Sequence, residues 1–474
     1  MNLISPDIKK DVLMIFGLSV ILLVVLISNP WYYSHDELQK LDHIYEHGMI
    51  DYIKSYVVIA QAESFAHPVR PFSFLVQGIL ALGMEQFPVL VHLFDVMTHA
   101  AAASLFYIVL YLLGVKRYLA LTSAIIFLIN PMTIIATGWS AALMDRWYVL
   151  FGLFAFLSAT RYLNEKQCVG WLVCLFVCSS LAILSKETAI VLPGTLAIFV
   201  FIRPDVLKSR HFYFMSVVLS LPVIIYILFR MPAILRSFQV IDNSPYSTSV
   251  LNIPIGLVVY FAYPLLVTLT EASNWVFIDV YWIAIACIGH LIVPLMLWRQ
   301  IGFFAAFGYL YLYLIFILPV LPLQIKSAHY LYGSALVFSF SLGYIFYNVC
   351  GNSFAKKAYT GFLAVSLFAH SIYLQFFVYY IGSNMHNAMV GLESSYMALK
   401  SPRSLELRAE PGSPEHILHR FVTGRTRVGQ NFRVEMKVVN WEDPLPSSMP
   451  VLAMDSACRV YVMSDGAADY PLGK

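Results

Sequence analysis

Long apolar runs separated by short polar clusters fill the first 380 residues of the chain. Val12–Ile27 and Gly170–Leu184 contain no charged residue. Each approaches the roughly 20 apolar residues that carry a helix across a bilayer. A helix on a soluble protein keeps one polar face, and these runs have none. The pattern predicts spans near 12–29, 88–114, 118–137, 147–160, 168–185, 189–203, 212–229, 279–297, 303–321, 329–348 and 359–380. The stretch 252–270 is also apolar, but Pro254, Pro264 and the polar Glu271-Ala272-Ser273-Asn274 weaken it as a span. It reads equally well as a segment that dips into the membrane and returns. From about 381 the pattern changes. Turn formers gather at Glu410-Pro411-Gly412-Ser413-Pro414, and Phe432–Val438 alternates apolar with polar as a strand does. The expected fold is therefore an all-α polytopic membrane domain of about eleven helices (1–380, with a long first outer loop at 30–87). A small C-terminal outer α/β domain of three or four strands (381–474) follows it.

Composition agrees with this reading. Hydrophobic residues make up 59% of the 474 and charged ones only 12%, about half the charged share of an ordinary soluble domain. A net charge of +3, with no basic run, gives no footing for nucleic acid. The six cysteines (168, 174, 178, 287, 350 and 458) show no disulfide or metal spacing, and Cys174 and Cys178 sit one helical turn apart as small packing residues do. Met1–Lys10 is short and basic, but no small-residue cleavage site follows Ile27, so the first apolar segment is expected to be retained. Basic residues orient the spans. If 252–270 does not cross, Lys9, Lys10, Lys116, Arg117, Arg161, Lys166, Arg203, Lys208, Arg210, Arg299, Lys356 and Lys357 fall in short loops on one side. The other side has fewer, spread over far longer loops. This places the N-terminus inside and the C-terminal domain outside. Residues 71–84 are apolar enough to lie along the outer membrane surface.

Ionisable residues at membrane depth are costly and mark functional sites by default. Here they collect at the outer ends of spans: His35, Asp36 and Glu37 after the first, and Arg70 ahead of Pro71. His92, Asp95 and His99 share one face of the second span; Asp145 and Arg146 open the fourth. Lys186 and Glu187 stand between the fifth and sixth, and Lys326, His329 and Tyr330 precede the tenth. The set supplies carboxylates able to take a proton and cations able to hold a phosphate. Each member also has a plainer reading: Asp145-Arg146 as an interfacial charge couple, His92, Asp95 and His99 as a structural hydrogen-bonded cluster, Lys186-Glu187 as an outer turn, and Asp36-Glu37 as a solvated pair. No metal-ligand spacing stands out, so a divalent metal is not indicated.

In order, His35-Asp36-Glu37, Arg70-Pro71, His92 with His99, Met144-Asp145-Arg146-Trp147, Leu184-Ser185-Lys186-Glu187-Thr188 with Pro193, and His329-Tyr330-Leu331-Tyr332 resemble the GT-C superfamily of polytopic glycosyltransferases. The branch most similar contains the transmembrane O-mannosyltransferases with tetratricopeptide repeats and their bacterial relatives. The resemblance covers about residues 1–350. It implies a polyprenyl-phosphate-linked sugar donor used at the periplasmic face of a bacterial inner membrane, with inversion at the anomeric carbon. It implies Asp36 as catalytic base, with Glu37 as the second choice, and phosphate-holding roles for some of Arg70, Arg146, Lys186 and Lys326. His329 stands where those relatives carry Arg, and the tail lacks tetratricopeptide helices, so their acceptor does not carry over. Bacterial serotype-converting glucosyltransferases share the general plan and suggest a glycan or lipid-linked acceptor such as lipopolysaccharide O-antigen. Two rival readings are an O-antigen polymerase or ligase, and a flippase or transporter. The first expects Arg and His in large outer loops. The second expects inverted repeats and midplane charges, and the sequence shows no repeat.

Overall fold

The computed structural model describes residues 6–57, 69–164, 168–202, 204–237, 248–266, 280–348, 354–423, 425–428, 432–446 and 449–464. The protein is predominantly helical and polytopic, with a small C-terminal sheet, as the hydrophobic pattern leads one to expect. The first span, α1 (Pro6–Leu22), breaks at Leu23 and resumes over Val24–Ile27. The first loop holds α2 (His35–Tyr52) and α3 (Pro71–Gln86). The helices α4 (Pro88–Leu112), α5 (Arg117–Leu128), α6 (Pro131–Gly138), α7 (Leu143–Asn164) and α8 (Val169–Ser185) follow. Beyond them come α9 (Arg210–Ser237), α10 (Asn252–Ala262), α11 (Val280–Gln300), α12 (Phe303–Ile317), α13 (Tyr332–Asn348) and α14 (Phe354–Ala398). Among the described residues, seven helices are long and apolar enough to cross a membrane. The bent pair α5–α6 makes an eighth, and Val169–Ser185 and Glu187–Ile202 are shorter apolar segments.

The α5–α6 bend of 54° has a local cause. Asn130 caps α6 by accepting the Met132 N–H, and Pro131 takes the first helical position, where its missing donor costs nothing. At the other end of α6, Gly138 lets three helices meet. A Cβ there would stand 2.8 Å from Val378 and 2.9 Å from Leu26.

The helix α10 begins beside Leu321–Leu323, where Thr248 bridges Leu323 and the Ser249 N–H bonds the Pro322 carbonyl. Its far end reaches the middle of α11, where His290 bonds the Phe261 carbonyl. Eleven residues give about 16 Å of helix, half a bilayer core. Beyond it, α11 and α12 are each long and apolar enough to cross a membrane. Residues 238–247 and 267–279, which bear on whether 252–270 crosses, lie outside the described ones.

The helix α14 runs straight through position 381, where the composition changes, and the sheet starts at Ser404. The strands are β1 (Ser404–Ala409), β2 (Arg427–Val428), β3 (Phe432–Arg433), β4 (Glu435–Val438), β5 (Val451–Met454) and β6 (Val460–Ser464), and the main sheet has the order β4-β1-β5-β6. Both neighbours of β1 are parallel to it, and β6 is antiparallel. The crossover from β1 to β4 carries α15 (Glu415–Val422). The alternating stretch 432–438 divides at Val434. Phe432–Arg433 pairs with Arg427–Val428 in a separate two-stranded ribbon, and only Glu435–Val438 joins the main sheet. The domain is seated on α14 at Gly391, where a Cβ would fall 2.5 Å from the Val460 nitrogen.

Candidate active site

The charged residues picked out above gather at one end of the bundle, but they divide into an accessible group and a buried framework. The acids open α2. Asp36 stands in the first turn, where the helix N-terminus favours a carboxylate. Its side chain is 33% exposed, and the His35 Nε2 lies 3.4 Å away. Glu37 points inward, only 4% exposed, and accepts the Ala141 N–H at 3.1 Å. The pocket beside it is lined by Tyr32, Lys40, Gln77 and Ser140. The Lys40 ammonium donates to the Asp36 carbonyl at 3.3 Å.

Burial, reinforced by the Asp36 charge, pushes the Glu37 carboxyl from 4.5 to about 7. The folded chain thus holds this proton more tightly than the unfolded chain. That contributes stability which is complete below about 4.5 and is lost as pH rises through about 7. In E37Q the side chain stays neutral, and its carbonyl oxygen still accepts from Ala141. Wild-type thermal stability in detergent is expected to fall relative to E37Q between pH 5 and pH 8, by up to about 3 kcal/mol. Parallel melting curves across that range would refute the assignment.

Arg70, at the cap of α3, donates from Nε to Glu187 at 2.7 Å, and its Nη2 pairs with the other oxygen of that carboxylate. This fork joins residues 117 apart in sequence. It leaves Arg70 16% and Glu187 39% exposed at the side chain. Behind it, Lys186 is paired with Asp145, both almost fully buried. The Lys186 ammonium also lies 4.7 Å over the Tyr330 ring, a cation–π contact. His329 is buried, shares a hydrogen bond with the Ser327 hydroxyl at 2.6 Å, and packs edge-on to Trp139 at 5.0 Å. Arg230, near the end of α9, is also buried. In sequence it stands only as a cation at the outer end of an apolar run.

The remaining expectations meet a different outcome. Arg146, expected at a phosphate, is completely buried. It pairs with Asp95 and caps the end of α6 by donating to the Ala136, Thr137 and Trp139 carbonyls. Lys326 is turned onto the carbonyls of Leu321, at 2.8 Å, and Leu323. The face of α4 bearing His92, Asp95 and His99 is structural. His92 bonds the Trp31 carbonyl, and Asp95 takes the Ser140 hydroxyl besides Arg146. His99 bridges Tyr332 and the Leu128 carbonyl. Among the described residues no group of three or more His, Cys, Asp or Glu side chains is placed to hold a metal ion.

No family model matches the chain, and no curated protein is similar to it. Several solved structures are similar in fold. ArnT from Cupriavidus metallidurans, bound to undecaprenyl phosphate, is 13% identical over 94% of this chain and 92% of its own, with a TM-score of 0.45. The same protein in the apo state gives 14% identity and 0.47, over 94% and 93%. The archaeal oligosaccharyltransferase AglB from Archaeoglobus fulgidus, in complex with an inhibitory peptide and a dolichol-phosphate, is 12% identical over 91% of this chain and 65% of its own, with a TM-score of 0.44.

Proposed function

We propose that the protein is an inverting glycosyltransferase of the GT-C type. It moves a sugar from a polyprenyl-phosphate donor to a glycan acceptor, such as lipopolysaccharide O-antigen, at the periplasmic face of a bacterial inner membrane. The observation that carries this reading is the pairing, at one end of the bundle, of a partly exposed carboxylate in a helix's first turn with a partly exposed arginine backed by a buried lysine. Asp36 accepts the proton of an acceptor hydroxyl, whose oxygen attacks the anomeric carbon. The bond from that carbon to the phosphate oxygen breaks, and polyprenyl phosphate leaves with the electron pair. A phosphate departs without a general acid, so cations suffice on its side.

Exposure ranks those cations. Arg70 is the one a phosphate reaches, sharing it with Glu187, while Lys186 adds its field from beneath. Arg146 and Lys326 serve the framework. The one-sided clustering of charge favours chemistry at the surface over passage through the membrane. The test is a panel of radiolabelled polyprenyl-phosphate sugars supplied to membranes containing the protein. Wild type is expected to consume at least one of them. R70Q is expected to raise the donor KM about tenfold or more, the scale of a lost charge-assisted hydrogen bond pair. Consumption of no donor by the wild type refutes the reading.

A further inference from the structure

We infer that the C-terminal α/β domain is a positioning component of the catalytic centre, with Arg420 as its positioning residue. This rests on the reading of Asp36 as the base. The turn that carries Asp36 is held on its inner side, where Glu37 accepts the Ala141 N–H and Tyr33 packs on Trp139. The first span ends at Ile27, and the chain from there to Ser34 is irregular. The helix α2 is interrupted at Gly48, whose φ of 84° lies in the left-handed region. From His35 to the interruption at Gly48 the helix is unbroken, so contacts at its entry and along its face set the place of its first turn.

The C-terminal domain holds the outer side of the same turn and helix. Arg420, in the last turn of α15, donates from Nη1 to the Tyr33 carbonyl at 3.1 Å, across 387 positions of sequence. Its guanidinium also lies 4.9 Å over the Tyr33 ring. Six residues on, the Thr426 N–H donates to Asp42 at 2.8 Å and the Thr426 hydroxyl to Glu46 at 2.7 Å. Asp42 and Glu46 are one turn apart on α2, so the domain grips that helix at its entry and along one face. Tyr33 packs in turn on Trp139, and Trp139 on His329. The same contact therefore sets the acid side against the cation side.

The full-length protein in detergent provides the test, with R420A and R420K compared to wild type. In R420A, kcat is expected to fall about tenfold or more, with donor and acceptor KM within about threefold, because small displacements of a reacting group cost rate rather than binding. R420K keeps a donor for the carbonyl and a cation over the ring, and should recover to within about threefold of wild type. Hydrogen exchange read by mass spectrometry should quicken at residues 34–42 in R420A and stay unchanged in α4. Unchanged exchange at 34–42 overturns the positioning role whatever the activity. So does a kcat within twofold of wild type, or a rise confined to the acceptor KM. If the wild type transfers no sugar, the transferase reading fails and takes the catalytic part of this inference with it. The exchange difference would then still report the contact.

Discussion

Replacing Asp36 with asparagine is expected to lower sugar transfer about 10²- to 10⁴-fold, the usual weight of a general base, while leaving donor KM within about threefold. The expectation follows from accessibility. Asp36 has a third of its side chain exposed and stands next to His35, so an acceptor hydroxyl reaches it. Glu37 is buried with one oxygen on Ala141. Asparagine keeps the size of the side chain and removes its proton affinity, so insertion and folding should be unchanged. The measurement is kcat and KM in purified protein, alongside melting curves. Full activity in D36N together with loss in E37Q would move the base to Glu37, whose raised pKa suits a base near neutral pH even though its burial does not.

The second large effect is on stability. R146A leaves Asp95 buried without its counter-charge and strips the Ala136, Thr137 and Trp139 carbonyls of their donor. Breaking one side of a buried ion pair costs about 3–5 kcal/mol. The variant is therefore expected to melt well below wild type and to accumulate poorly in membranes. The double variant D95N/R146M removes both charges and should recover part of the loss, since an uncompensated charge is the larger cost. A normally stable R146A with a raised donor KM would instead return Arg146 to the phosphate.

The span pattern was legible in the sequence because a bilayer imposes a local requirement. Every crossing must be apolar over its own length, so the signature sits in consecutive residues. The residues that stand at the site were legible for a related reason: charge is excluded from the core and shows up at the ends of the runs. His35, Asp36, Glu37, Arg70, Asp145, Lys186, Glu187, His329 and Tyr330 were all found that way. Their roles were not. An arginine that caps a helix and an arginine that meets solvent look alike in sequence, and only burial separates Arg146 from Arg70. The composition change at 381 marks where the chain becomes more polar, whereas α14 continues to Ala398 because a helix satisfies its backbone donors and acceptors internally in either medium.

By itself, then, the sequence determined that this chain is a polytopic membrane protein with a polar C-terminal domain and with acids and cations concentrated at span ends. Those properties depend on near neighbours in the chain and on the cost of charge in hydrocarbon. The tertiary structure alone decided which charges neutralise one another. It paired Arg70 with Glu187, Lys186 with Asp145 and Arg146 with Asp95, and it brought Arg420 to Tyr33. Each of these contacts joins distant segments, and its energy depends on burial and geometry that no local pattern records.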